Sequence, residues 1–453
     1  MKIVLVNSPV VKSSKWKTKN FLLERIYFHP VYKYIPGVRF LLGAFGVRKQ
    51  FRFGVRAGSR WPFTMNDPIY NYAPFPFFIG YTAAYLKQNG YEVHVIDHVV
   101  SNKFSYDGFF HEVKREKADM VIVECSTPTI DIDLWVCKKI SQYTRVALAG
   151  PHVAPNLEDL QNNHRYIDFF LTGEYILSAL DVAKSLKPGV YRNQKIADLN
   201  QLPFPYRNYE NADNYYDPSM PTAKPQLQLY GAKGCPFKCS FCMWPQTMYQ
   251  GKVSLRKPEL IAQEIKECIR LHGYKSIFFD DDTFNLGNER ISELCDELKK
   301  IGLPWTMMGR LDCSPEWLLD KMVDSGCVGM RFGIETFNIA VLAKINKGLE
   351  NKNFQEVLVN ICKKYRHVMI HVTMMQDMPT QTDDIHHNDL KILKEMGFSN
   401  DNVFRTYQVA KCVPFPGTPL YNELVKIKGK KAVDDFSLYD GGQDTIMRDL
   451  DDK

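Results

Sequence analysis

The chain has 453 residues, a formal net charge of +7, 45% hydrophobic residues and 24% charged ones. That composition excludes a disordered or fibrous chain and allows two or three domains with full cores. No stretch approaches the roughly 20 consecutive apolar residues that span a bilayer, and the opening MKIVLVNSPV is too short an apolar run for a signal segment, so a cytoplasmic protein, at most peripheral to a membrane, is expected.

The opening run reads as a first buried strand. Behind it, residues 10–70 form a basic and aromatic insertion. Between residues 11 and 60 stand twelve lysines and arginines against Glu24 alone, interleaved with ten aromatic residues. Such a segment suits anionic lipid headgroups, nucleic acid or a phosphorylated substrate, and it equally suits a lid with solvated charges. The stretch PFFIGYTAAYLKQNG then predicts a helix through Ile79, Ala83, Ala84 and Leu86 that stops at Gly90. Strands follow in YEVHVID, ADMVIVECS, RVALAGPH and DFFLTGE, with helical segments between them. Alternation of apolar strands with helices predicts a doubly wound parallel sheet. Ligands of such sheets lie beyond the carboxyl ends of the strands. Ser126, Thr127, Gly150, His152, Gly173 and Glu174 stand at those ends.

Residues 186–224 carry prolines and polar residues without a sustained period and read as a linker. Six strand candidates then alternate with helices: QLQLYGAKG, SIFFDDD, PWTMMGR, GMRFGIE, VMIHVTMM and VFRTYQVAK. A complete barrel of this type has eight such repeats, so six predict an open, partial barrel over residues 225–421. Asp280, Asp281, Asp282, Arg310, Glu335 and Gln376 fall at its strand ends. The tail, residues 422–453, ends in the acidic DDFSLYDGGQDTIMRDLDDK and is expected to be frayed and solvated. The fold class is therefore α/β, a Rossmann-like sheet followed by a partial (β/α)6 TIM-like barrel.

Eight of the eleven cysteines are scattered singly and read as small buried hydrophobes. Cys235, Cys239 and Cys242 instead crowd one loop after the first barrel strand. A zinc site wants a fourth ligand, yet the closest downstream histidine is His272. A redox dithiol leaves Cys235 unexplained. Three thiolates on an iron-sulfur cluster leave one iron open to a ligand, and the barrel's carboxyl rim is where this fold places chemistry.

CPFKCSFC, with Phe241 before the last cysteine, resembles the CxxxCxxC signature of the radical S-adenosylmethionine (SAM) enzymes. FFDDDTFN, FGIET and VPFPGTPLY further resemble the class that carries an amino-terminal cobalamin-binding domain, which includes methyltransferases, anaerobic tetrapyrrole cyclases and hopanoid-processing enzymes. The resemblance runs from KIVLVNSP to PGTPLY. It implies a 4Fe-4S cluster on Cys235, Cys239 and Cys242, with SAM on the open iron, and a cobalamin-binding sheet over residues 1–185. The cobalt-ligating DxHxxG sequence is absent, since Asp97-His98 runs on into VVSNK.

Around SAM the expected contacts are Phe241, the three aspartates 280 to 282 (at least one of which could instead cap the next helix), Arg310, Glu335, Gln376 and Pro416. Around cobalamin they are the six strand-end residues of the first sheet. The implied reaction is radical methylation of an unactivated carbon. Cyclisation or carbon-carbon bond modification of a lipid or tetrapyrrole is the alternative. A tRNA-modifying enzyme is less favoured, because no RNA-binding domain follows PGTPLY. The implied partners are a small or lipid-like substrate, an electron donor such as flavodoxin or ferredoxin, and a peripheral membrane contact, with nucleic acid disfavoured.

Overall fold

The computed structural model describes residues 1–9, 73–100, 106–192, 195–350, 352–436, 439 and 447, with the backbone of a short ladder pairing Phe53–Gly54 with Thr64–Met65. The basic insertion expected at 10–70 otherwise lies outside the described residues. The chain forms two compact units. One comprises residues 1–195, 203–212 and 430–444, the other 196–202, 213–429 and 445–453.

The first unit is built on six parallel strands: β1 (Lys2–Asn7), β2 (Glu92–Asp97), β3 (Met120–Glu124), β4 (Arg145–Ala149), β5 (Phe169–Thr172) and β6 (Gly189–Arg192). They lie in the order β2-β1-β3-β4-β5-β6, with Val4 in register with His94 on one side and Val121 on the other. Both faces of β1 and β3 are buried, which is why these strands read as continuous apolar runs. Helices α1 (Phe77–Gln88), α2 (Tyr106–Arg115), α3 (Ile130–Ile140), α4 (Leu157–Asn163) and α5 (Ile176–Ser185) connect them. In α1, Ile79, Ala83 and Leu86 are buried, and Gly90 ends the turn at φ +85. Because β2 and β3 flank β1 on opposite sides, the strand order reverses there. That reversal opens the crevice in which doubly wound sheets bind ligands.

Strand β6 falls inside the segment expected to be a linker. It escapes sequence reading because it is a half-exposed edge strand, GVYR, with no apolar run.

The second unit carries a sheet of β7 (Gln226–Leu229), β10 (Ser276–Phe279), β11 (Trp305–Gly309), β12 (Cys327–Glu335), β13 (Met369–Gln376) and β14 (Arg405–Lys411), ordered β14-β13-β12-β11-β10-β7 and parallel throughout. A two-stranded ladder, β8 (Ala232–Lys233) with β9 (Ser254–Leu255), branches off after β7. The helices are α6 (Trp244–Thr247), α7 (Pro258–His272), α8 (Asn288–Ile301), α9 (Glu316–Asp324), α10 (Ile339–Lys344), α11 (Phe354–Lys364), α12 (Asp383–Glu395) and α13 (Pro419–Lys428). Gly273 and Gly302 close α7 and α8 in the left-handed conformation.

Along β12 the alternating positions Gly329, Arg331 and Gly333 share the sheet's inner face. A side chain on Gly329 would meet Thr306, Met220 and Met369 at 2.9 to 3.3 Å, so that glycine makes room for an apolar plug of Met220, Phe278, Met308 and Met369. Arg331 stands above it. Its Nη2 donates to both oxygens of Asp217, at 2.9 and 2.8 Å. Both residues are buried, and Ser219 N adds a further hydrogen bond to Asp217.

Of the acidic stretch 434–453 expected to be frayed, residues 437, 438, 440–446 and 448–453 lie outside the described residues, while the described part of the tail is partly packed. After α13 the chain turns through α14 (Lys430–Val433), and Val433, Tyr439 and Met447 are buried. Phe436 packs against the core of the first unit. The apolar residues sit singly among acids, so net charge conceals them. Among the described residues no helix is long and apolar enough to cross a membrane.

Candidate functional site

The cysteine loop leaves the barrel through the β8–β9 ladder, in which Ala232 pairs with Leu255 and Lys233 with Ser254. Gly234 sits at φ +83, and a Cβ there would lie 2.1 Å from the Lys252 carbonyl oxygen. Only glycine fits this crossing.

Two aspartates fasten the strand exit. Asp281 accepts from the amides of Gly231 and Ala232, both at 2.8 Å, and Asp282 accepts from Gly234 N at 2.7 Å. Neither caps the next helix, and nor does Asp280, because α8 starts at Asn288 behind Gly287. The expected contact of a carboxylate with an incoming ammonium therefore competes, at Asp281, with two backbone donors already in place. Thr283 Oγ1 lies 3.3 Å from Cys235 Sγ.

Downstream, Gln246 Nε2 donates to the carbonyls of Cys239 and Cys242 at 3.2 and 2.8 Å. Three anchors come from distant elements: Ser240 N donates to Ile345 O at 2.9 Å, Asn346 Nδ2 to Lys238 O at 2.9 Å, and Leu420 N to Ser240 O at 3.1 Å. The VPFPGTPLY turn, with Pro416 buried, thus reaches the cysteine loop through its helix start. There Thr418 caps α13. Phe241 and Trp244 are buried beside the thiols. Gln376 ends β13, and its carbonyl accepts from Cys412 N at 2.7 Å.

Arg310 follows β11. Its guanidinium lies 3.7 Å over the Phe237 ring, donates to both oxygens of Asp312 at 3.0 and 3.2 Å, and reaches Lys347 O at 2.9 Å. The sequence places Arg310 at SAM, pairing its carboxylate or ordering the ribose side; the contacts seen engage Nε and Nη2 within the protein and brace the cysteine loop.

Glu335 ends β12 at φ +68 and accepts from Lys347 Nζ at 2.7 Å, with both side chains buried. Gly333 again makes the space, since a Cβ there would lie 2.8 Å from Glu335 Oε1 and 3.0 Å from Lys347 Nζ. Burial works against the charge on Lys347. The charges of Glu335 and Cys239 outweigh it and hold the pKa above its ordinary value. Glu335 Oε2 is buried with no hydrogen-bond partner among the described residues. Sequence reasoning misses Lys347, Phe237 and Gln246. Lys347 sits in the turn NKG, and no periodicity separates it from a surface lysine.

Burial raises the pKa of Cys235 and carries that of Cys242 well above the ordinary thiol value. Among the described residues no three or more His, Cys, Asp or Glu side chains are gathered around one point as a single ion would gather them. In a cluster, by contrast, each thiolate binds its own iron.

At the strand ends of the first unit, Ser126 Oγ and Thr129 Oγ1 lie 2.8 Å apart, and Thr129 donates to Asp133 at 2.7 Å. His152 Nδ1 lies 3.2 Å from Thr127 Oγ1 and 3.4 Å from Asn156 Nδ2. Gly150 has φ +118, and a Cβ would sit 2.3 Å from Cys125 O, so β3 and β4 exit in close contact. Gly173 follows β5 at φ +68, and Glu174 beside it is buried. At the β1 end, Asn7 Nδ2 donates to Asp97 at 3.1 Å, and His98 pairs with Glu112 at 2.9 Å. The six expected cobalamin positions belong to one end of one sheet. The eight expected SAM contacts belong with the three thiols to the second unit.

Residues 73–181 match the B12-binding domain and residues 229–392 the radical SAM superfamily. The chain is a radical SAM enzyme with a B12-binding domain. Its relatives include an uncharacterized methyltransferase of Pyrococcus horikoshii, 23% identical over 77% of this chain and 78% of that one. Another is the anaerobic magnesium-protoporphyrin IX monomethyl ester cyclase of Rubrivivax gelatinosus, 23% identical over 60% of this chain and 54% of that one. In fold the chain is similar to the radical SAM methyltransferase TsrM of Kitasatospora setae, with a TM-score of 0.61 and 17% identity over 78% of this chain and 75% of that one.

The residues of the radical SAM domain fit the cluster. They supply three thiols in one clamped loop, two buried cations beside Cys239, and a buried carboxylate oxygen without a donor among the described residues. The B12-binding domain gathers hydroxyls, an amide and a neutral imidazole at the carboxyl ends of its strands. Burial, and after it the charge of Lys430, pushes the His152 pKa down to about 3. The unfolded chain takes up this proton near the ordinary value of 6.5, while the folded one stays neutral. The stability that depends on His152 is therefore full above that pH and is lost as pH falls toward 3. His152→Asn should flatten the pH dependence of the urea midpoint between about pH 7 and pH 5 relative to wild type. An unchanged slope would show that His152 titrates in the folded protein.

Proposed function

We propose that this enzyme is a cobalamin-dependent radical SAM methyltransferase acting on an unactivated carbon of a small or lipid-like substrate. The observation that carries the reading is the buried Glu335–Lys347 pair beside the clamped three-thiol loop, in a chain that also has a B12-binding domain. When bound, the cluster with SAM supplies a carbon-centred radical, and the corrinoid supplies a methyl donor.

The chain's own residues position and shield. Lys347 offers its ammonium to the carboxylate of the amino-acid end of SAM, and Glu335 Oε2 accepts from the amino group. Phe241 and Trp244 keep water from the thiols, while Arg310, Gln246 and Ile345 hold the loop still. Reduction by a flavodoxin or ferredoxin completes the scheme. The methyltransferase relative supports methyl transfer. The cyclase relative supports the second reading, in which the same radical closes a ring without methylation.

The test is an anaerobic turnover of the protein loaded with cluster and hydroxocobalamin, with dithionite, SAM carrying a labelled methyl group, and a small-molecule extract of the producing cells. Gain of the label in an extract component, with 5′-deoxyadenosine formed, is the expected outcome. Formation of 5′-deoxyadenosine with an unlabelled product two hydrogens lighter would favour the cyclase. No 5′-deoxyadenosine under any condition would refute both.

A further inference from the structure

The matched B12-binding domain ends at residue 181, yet the first unit takes up a further segment from the other end of the chain, residues 430–444. The described part of that segment is tightly tied. Lys430 pairs with Asp434 at 2.6 Å, Phe436 N donates to Asp434 O at 2.9 Å, and Tyr439 N donates to Phe436 O at 3.2 Å. The Tyr439 hydroxyl returns to Val433 O at 2.8 Å, and its ring meets that of Phe436 edge-on at 5.4 Å. Val433 and Tyr439 are buried, so residues 430–436 with Tyr439 form an anchored strap.

The strap is seated at the ligand-binding end of the sheet. The Phe436 ring stands edge-on to His152, with centroids 4.8 Å apart and planes at 84°. His152 follows β4 and holds Thr127 behind β3, on the flank of the crevice opened where β2 and β3 diverge from β1. An aromatic wall fixed to a neutral imidazole suits a corrinoid, which presents a broad ring edge and neutral amide side chains.

We propose that the strap around Phe436 is the outer wall of the corrinoid crevice, so that the B12-binding domain is completed by residues that lie beyond the barrel in sequence. The inference rests on corrinoid binding by the first unit.

The test compares full-length wild type, Phe436→Ala and Phe436→Leu after loading with hydroxocobalamin. It follows corrin absorbance retained on gel filtration, the corrin release rate, and cluster content as a control on the rest of the fold. Phe436→Ala should release hydroxocobalamin on the order of tenfold faster, with Phe436→Leu near wild type and cluster content unchanged in both. Equal release by all three proteins would overturn the wall. So would faster uptake by Phe436→Ala at an unchanged release rate, since that describes a plug. Absence of corrin from wild type itself would instead overturn the reading beneath it, and the wall with it.

Discussion

Alanine at Cys235, Cys239 or Cys242 is expected to abolish both the visible absorbance of the reconstituted cluster and the formation of 5′-deoxyadenosine. The loop does not depend on the sulfurs for its shape. Asp281 and Asp282 hold its entry, Gln246 holds its last turn, and Ile345, Asn346 and Leu420 hold its middle. Each variant should therefore fold, with an unfolding midpoint in the unloaded state close to wild type. The loss is one of ligation: a cluster on two protein thiolates has two irons without protein ligands. Retention of cluster absorbance and of cofactor cleavage in any one variant would show that the cysteine in question is not a ligand.

The second large effect belongs to stability. Asp217→Ala removes the counter-charge of a guanidinium held on the inner face of the barrel, and breaking a buried pair on one side costs about 3–5 kcal/mol. Burial alone would raise the Asp217 pKa, but Arg331 and the hydrogen bonds from Ser219 lower it below the ordinary value. The pair is thus ionised in the folded protein. The combined change Asp217→Leu with Arg331→Met removes both charges and should recover most of the loss. Urea unfolding of the three proteins decides it. A cost below about 1 kcal/mol for Asp217→Ala would mean that water reaches Arg331.

Much of this architecture is legible in the order of the amino acids. Strands buried on both faces, such as MVIV at 120–123 and IFF at 277–279, are continuous apolar runs that a covered parallel sheet explains. The three thiols are legible because their spacing is local. The Glu335–Lys347 pair is not. Its burial depends on Gly333 having no side chain, on the left-handed turn at Glu335, and on α10 returning Lys347 to the same point. None of these leaves a period in the sequence. Arg310 can be placed at a strand end by pattern, and Asp312 lies two residues on, but its partners Phe237 and Lys347 come from two other loops whose approach is a property of the folded sheet. Strand β6 and the strap escape for a related reason. Each is a short element whose few apolar residues are diluted by charge.

The anchors of the cysteine loop also set an order of events during synthesis. Ser240 is tied to Ile345 and to Leu420, the latter 180 residues further along the chain. Chains leave the ribosome from the amino end at about 5–20 residues per second, so the thiols emerge on the order of ten seconds or more before the helix that clamps them. A cluster delivered in that interval would meet an unclamped loop. The geometry therefore favours cluster delivery to the finished chain, with the closing helix α13 as the part that makes the loop ready to receive it.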